Sequence, residues 1–170
     1  LAQIDLMELG DQVPVGYSQT RKAYLLTLEL PFSKKLSAEL IFSKRFEDIA
    51  FGVNSCLKQL GRLPKKLVLD REGALHRNHG SPSDPFAAYL GQLSLGWIIL
   101  AARDAEAKGA LERNHRFIHG NFEAGRRFAN PADFRHQLDT WLSKTSARRH
   151  RTTRRIIDEH FDAEQTRIVG

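Results

Sequence analysis

Along the first forty-odd residues, apolar side chains cluster in three stretches, Ala2 to Leu9, Ala23 to Leu30 and Leu36 to Phe42. The alternation of Leu36, Ala38, Leu40 and Phe42 is the period-two pattern of a strand with a buried face. Gly10, Asp11, Gln12, Pro14 and Gly16 punctuate the end of the first stretch, and Pro31 to Lys35 forms a polar turn between the second and third. Three antiparallel strands in a meander are predicted. From Phe46 the period lengthens: Phe46, Ile49, Ala50, Val53, Leu57 and Leu60 fall on one helical face, with Gly61 placed as the stop. Lys66 to Asp70 reads as a short buried strand ending on an acid, so strand, helix, strand implies a parallel crossover. Residues 71 to 84 read as a long polar loop. The pattern beyond it predicts a helix over Pro85 to Leu95 capped by Asp84, a strand over Trp97 to Ala102, a helix over Ala105 to about Phe122 and a helix over Asp133 to Leu142 near Asn130 and Pro131. Ile156 to Ile168 is predicted as a final short helix. This order describes an α/β protein with a mixed sheet flanked by helices.

The chain has 170 residues, of which 41% are hydrophobic and 27% charged, a balance that predicts one globular domain rather than disorder. The longest uninterrupted apolar run, Trp97 to Ala102, is far too short to span a bilayer, so no membrane association is expected. A single cysteine, Cys56, excludes an internal disulfide and any multi-Cys zinc site, and fits a cytoplasmic location. Cys56 lies within the first predicted helix and reads as a small buried hydrophobe. The chain opens on Leu1 without an initiator Met or a basic signal, the expectation being a fragment of a longer protein.

Charge changes this picture locally. The net charge is +6, and Lys144, Arg148, Arg149, Arg151, Arg154 and Arg155 contribute six positive charges with no acid among residues 144 to 155. A local basic run on an otherwise neutral body points to a polyanion, nucleic acid first, although a solvated tail or helix flank accounts for such a run equally well.

Three acids complete the candidate chemistry. Asp5 lies in the first strand, Asp70 ends the fourth, and Glu112 lies in a late helix. Neighbouring strands of a mixed sheet bring Asp5 and Asp70 side by side, and a helix packed near their ends brings in Glu112. Carboxylates gathered in one pocket repel unless a cation neutralises them, and Mg²⁺ prefers carboxylate and phosphate oxygens, so a two-metal phosphoryl-transfer site is expected. Taken singly, each acid is more simply a solvated or paired surface group. Lys108, Glu112, His115 or Arg116, and His119 recur at helical spacings of three and four, which sets a carboxylate among phosphate binders on one stripe. Glu112 and His115 also match a di-iron Glu-x-x-His element, which fails for want of a second copy. His76 and His79 lack further zinc ligands, the 81–84 segment carries no His-paired serine, and the glycines fit no phosphate-loop spacing.

Three segments resemble the catalytic core of retroviral-integrase-like DDE transposases, particularly bacterial insertion-sequence transposases of the two-component kind. They are Gln3-Ile4-Asp5, Leu60 through Asp70, and Ala107-Lys108-Gly109-Ala110-Leu111-Glu112-Arg113. Downstream, Phe128 to Phe134, Gln137-Leu138, Trp141-Leu142 and the Arg148 to Arg155 stretch resemble the segment C-terminal to the core in that family. The resemblance implies an RNase H-like fold with a mixed five-stranded sheet, spanning residues 1–143 as the core and 144–170 as a basic extension with a short helix. It implies that Asp5, Asp70 and Glu112 form the DDE triad, acting as catalytic residues and as ligands of two Mg²⁺ ions for which Mn²⁺ can substitute. The implied reaction is metal-dependent DNA strand cleavage followed by strand transfer, that is, DNA integration or transposition. Lys108, Arg116, Arg148, Arg149, Arg151, Arg154 and Arg155 are the expected DNA contacts. The expected partners are transposon-end and target DNA, further copies of the chain in a homo-oligomer and a separate AAA+ ATPase helper, in the cytoplasm at the nucleoid. An end-binding helix-turn-helix region upstream belongs to the family pattern and is absent from this chain. Two alternatives stand beside this reading: a non-catalytic nucleic-acid-binding fragment of a decayed transposase, and an RNase H-like nuclease.

Overall fold

The computed structural model describes residues 2–17, 19–69, 76–77, 81–82, 84–99, 105–164 and 167–168. Five strands form the main sheet: β1 (Ala2–Gly16), β2 (Gln19–Leu30), β3 (Lys35–Ile41), β5 (Lys66–Leu69) and β8 (Gly96–Ile99), in the spatial order β3-β2-β1-β5-β8. The β1–β2 and β2–β3 pairs are antiparallel, and the β1–β5 and β5–β8 pairs are parallel. The helix α1 (Phe46–Leu60) between β3 and β5 makes the crossover that parallel pairing requires. This is the mixed five-stranded sheet flanked by helices that the sequence predicts. Asp70 and residues 71–75, with most of the predicted 71–84 loop and the 100–102 part of the Trp97 to Ala102 strand, lie outside the described residues. Within that loop, β6 (His76–Arg77) pairs antiparallel with β7 (Ser81–Pro82).

Alternation along β1 and β2 assigns side chains to two cores. Ala2, Ile4, Tyr24, Leu26, Leu28 and Leu30 pack on one face with Ile49, Val53, Cys56, Leu57 and Leu60 of α1. Leu90 of α2 (Asp84–Gln92) and Phe161 of α5 (Ile157–Asp162) join the same core. Met7, Leu9, Val13, Ala23, Leu25, Leu36, Ala38 and Leu40 point to the other face. There they meet Ile118, Phe122 and Phe128, and Phe134, Leu138, Trp141 and Leu142 of α4 (Pro131–Ser146). Helices thus cover both faces. Among the described residues no helix is long and apolar enough to cross a membrane.

Several predicted boundaries hold and others move. Helix α1 starts at Phe46 and stops on Gly61, whose φ of 70° lets its N–H reach the Leu57 and Lys58 carbonyls. Asn130 caps α4 by accepting from the Asp133 N–H at 2.8 Å. The expected break at Gly10 to Gly16 does not end the first strand. Val13 is fully buried and keeps the chain on the sheet, so the turn-type residues are absorbed as register irregularities between Glu8 and Gly10, Gly10 and Val13, and Pro14 and Gly16. The reversal comes at Gly16 and Tyr17, both at positive φ. The helix over Pro85 to Leu95 ends instead at Gln92: Ser94, at φ 55°, turns the chain so that Leu95 N–H bonds the Leu90 carbonyl at 3.0 Å and the Leu95 side chain enters the core.

The helix predicted over Ala105 to Phe122 is α-helical only through Ile118. It is α3 (Ala105–Ile118), and its last turn, His119–Glu123, is π-helical, with the Ala124 N–H bonded to the His119 carbonyl at 3.0 Å. The final helix over Ile156 to Ile168 shrinks to α5. Arg167 and Ile168 instead form β9 (Arg167–Ile168), paired with β4 (Arg62–Leu63), while Arg62 donates to the Phe161 carbonyl at 3.0 Å and stacks over the Phe161 ring. Long-range pairing here overrides helical propensity.

Phe122 is fully buried where the π-helical turn meets α4, with ring centroids 5.8 Å from Phe128, 5.5 Å from Phe134 and 5.4 Å from Trp141. Phe122→Ala opens a cavity that these rigid rings fill poorly, so a loss of about 3–5 kcal/mol in stability is expected by urea unfolding. A loss below about 1 kcal/mol would refute this account of the second core.

Candidate functional site

Asp5 is the polar exception on its face of the central strand. It occupies an odd position of β1, in line with Met7 and Leu9, so the pleat directs it toward the face covered by α3 and α4. The residue is only 8% exposed. A buried carboxylate needs a partner, and His115 of α3 supplies it: the His115 Nε2–H donates to Asp5 Oδ2. Helix α3 is therefore docked on β1 by a polar contact as well as by the apolar burial of Ile118 beyond it.

Glu112 stands one helical turn before His115 on the same stripe of α3 and is exposed. The stripe that the sequence singles out thus comes against the strand that carries the first acid. Lys108 lies a further turn back on α3, with its side chain outside the description, and Arg116 is exposed. The parallel register Ala2↔Leu67, Gln3↔Val68, Ile4↔Leu69 runs to the residue before Asp5 on one strand and the residue before Asp70 in the sequence of the other. Asp70 itself lies outside the described residues. Among the described residues no group of three His, Cys, Asp or Glu side chains forms a metal-ligand cluster. Buried Asp5 on β1 and exposed Glu112 on α3 are hard oxygen donors of the kind Mg²⁺ takes, so the donor chemistry of these two side chains fits that ion.

The basic run is folded. Arg149 bridges Ile156, the His150 N–H bonds the Arg155 carbonyl at 2.8 Å, and Arg149 Nη1 donates to the Arg154 carbonyl at 2.5 Å, which together make a tight hairpin. A solvated tail does not describe it. Arg148 lies half-buried with its guanidinium 4.8 Å above the Phe117 ring of α3, and burial pulls its pKa down against the opposing pull of Glu29. Arg149, Arg151, Arg154 and Arg155 are exposed.

No family model and no curated protein sequence matches the chain. Solved structures do. The catalytic core domain of BIV integrase matches 95% of this chain and 93% of its own length at TM-score 0.63 and 13% identity. The fold is that of a retroviral-integrase catalytic core. A chain of the simian T-cell lymphotropic virus intasome, solved in complex with the PP2A regulatory subunit B56 gamma, matches at TM-score 0.68 and 13% identity over 96% of this chain and 54% of that one. This integrase-like chain thus spans about half the length of the intasome chain it resembles.

Sequence reasoning missed the direct role of His115, which it left as one of two alternative members of the helical stripe. The Glu112 and His115 spacing of three was the available signal. Cys56 behaves as expected: fully buried against the Leu26 carbonyl, its thiol is pushed up to about 12 by burial, with the neighbouring Ser37 hydroxyl opposing and Glu39 adding. At pH 8 about one thiol in ten thousand is ionised at such a pKa. Native protein is therefore expected to resist a disulfide exchange reagent such as Ellman's and to react stoichiometrically once unfolded in guanidinium; rapid labelling of the folded protein would contradict the buried placement.

Proposed function

We propose that this integrase-like core is the catalytic core of a DDE-type polynucleotidyl transferase of the transposase and integrase kind, cutting DNA strands and joining them to a target. The observation that carries the reading is the docking of the α3 stripe, which holds Glu112, onto buried Asp5 through His115, within a fold shared with retroviral-integrase cores. Asp5, Asp70 and Glu112 are the proposed triad and metal ligands. Two Mg²⁺ ions, or Mn²⁺ in their place, would supply Lewis-acid chemistry at the attacked phosphate, with a water or a 3′-hydroxyl as nucleophile.

The chain's own residues then have distinct tasks. Asp5 presents its carboxylate from β1 and Glu112 from α3, with Asp70 as the third proposed ligand. His115 fixes the orientation of Asp5 by holding one of its oxygens. Lys108 and Arg116 grip backbone phosphate beside the acids, and the exposed Arg149, Arg151, Arg154 and Arg155, with Arg148, extend that contact along the strand. No covalent protein intermediate is needed. The proposed partners are transposon-end and target DNA and further copies of the chain in a homo-oligomer, a reading in keeping with a neighbour that is part of an intasome. An AAA+ helper and a cytoplasmic, nucleoid-associated setting complete the proposed context.

Asp5→Asn and Glu112→Gln each remove a ligand charge with little change of shape. Each is expected to lower Mn²⁺- or Mg²⁺-dependent cleavage and joining of a pre-nicked DNA substrate by at least about 100-fold, equivalent to a few kcal/mol of lost transition-state stabilisation, and to weaken metal binding in calorimetry. Wild-type protein that binds DNA but neither takes up metal nor differs from these variants would identify a non-catalytic fragment instead. Cleavage of RNA–DNA hybrids without strand transfer would identify an RNase H-like nuclease.

A further inference from the structure

A cavity of about 500 Å³ opens on the same face of the sheet as Asp5. Four separate segments line it: Glu29 from β2, Lys34 from the β2–β3 turn, Arg113 from α3, and Arg148, His150 and Arg151 from the end of α4 and the adjoining hairpin. Its position relative to Asp5 is set by register. Asp5 faces Thr27 and Gln3 faces Glu29 across the β1–β2 pair, so Glu29 is the diagonal neighbour of Asp5 on the same face, about 7–8 Å away. Arg113 directly succeeds Glu112 on α3.

The electrostatics of this cavity are unbalanced. Four permanent cations, Lys34, Arg113, Arg148 and Arg151, line it with the single carboxylate of Glu29. None of the four forms a salt bridge among the described residues, whereas Lys22, Lys35, Lys44, Arg62 and Arg135 do. Among the described residues, Arg148 Nε is buried without a hydrogen-bond partner. Burial, Arg148 and Lys34 all push the His150 imidazole toward its neutral form, and burial raises the Glu29 carboxyl against the pull of Lys34, Arg113 and Arg148. Cations gathered in a concave, partly desolvated space repel one another, and an anion that takes several N–H donors at once relieves that repulsion. Arginine forks match phosphate oxygens, and the cavity has room for a sugar-phosphate unit beyond a lone phosphate.

We propose that this cavity is a phosphate-binding site, formed by Lys34, Arg113, Arg148 and Arg151, which holds a backbone phosphate of the DNA strand leading away from Asp5. The source of the phosphate rests on the polynucleotidyl-transferase reading; the phosphate chemistry rests on the cavity alone. The site divides the basic run into two roles. Arg148 and Arg151 join cations more than thirty residues away in sequence, while Arg149, Arg154 and Arg155 do not line the cavity.

The test uses the full chain and a fluorescent DNA oligonucleotide in metal-free buffer across a salt series, so that binding is read apart from catalysis. Lys34→Gln with Arg113→Gln is expected to weaken binding about tenfold or more and to reduce the slope of log affinity against log salt by about two, one per lost phosphate contact. Lys58→Gln with Lys65→Gln removes the same charge from exposed positions away from the cavity and is expected to leave both quantities within experimental error. Thr152→Glu, a carboxylate at the cavity rim, provides a second variant with the expected loss should the double variant melt early. Equal losses in the cavity and control pairs, or unchanged affinity and slope in the cavity variants, would overturn the proposal. Inorganic phosphate and pyrophosphate binding to wild type but not to the cavity variants, with DNA affinity unchanged, would overturn the DNA assignment in favour of a free phosphate ligand. Wild-type cleavage is tracked in parallel with Mg²⁺ or Mn²⁺ added: no metal-dependent cleavage or joining by wild type, with DNA binding still lost in the cavity variants, would sink the polynucleotidyl-transferase reading and leave the phosphate site standing.

Discussion

A carboxylate on the covered face of a central strand is the constraint around which the rest is arranged. Asp5 occupies a position where the neighbouring odd residues, Met7 and Leu9, are core, and an unpartnered ionised group there would be costly. The contact from His115 meets that demand and at the same time fixes where α3 lies on the sheet. Helix placement in turn sets Glu112 and Arg113 at neighbouring positions of one helix: the acid on the stripe shared with His115, the cation at the phosphate-type cavity. Apolar burial of Ile118 and Phe122 anchors the far end of the same element.

Opposite charges are kept apart by short distances rather than by separate domains. The described acids Asp5 and Glu112 occupy the central strand and one helix stripe, and cations with no salt bridge among the described residues line the cavity, with Glu29 on the diagonal from Asp5. Acidic and basic side chains thus alternate over a few residues of one face of the sheet. The π-helical turn after α3 belongs to this arrangement as well. It brings buried Glu123 against His119 and lets Phe122 reach the aromatic cluster under α4, so the functional helix ends on a rigid support.

Much of the fold was legible along the chain. The three early strands, α1 with its Gly61 stop and α4 with its Asn130 cap each carry a local signal, either a period or a capping residue, that acts within a few residues. The misplaced boundaries share a cause. Gly10 to Gly16 looks like a turn because its residues favour turns, yet burial of Val13 holds the strand together across the bulges. Arg167 and Ile168 look helical, yet pair with a segment more than a hundred residues earlier. Period and propensity contain no information about partners at that separation.

The same division holds for the candidate site. The sequence by itself determined the candidate residues: an acid in the first strand, a Glu and His three apart on one helix, and a concentration of arginines after the last long helix, because residue type and helical or strand period are local properties. Only the tertiary structure decided which of them meet. It joined His115 to Asp5 across 110 residues, folded the arginine run into a hairpin, and drew Lys34 and Arg113 to Arg148 and Arg151 around one cavity. Those encounters arise from the packing of helices on two faces of one sheet, a global minimisation of exposed apolar surface that no short window of sequence encodes.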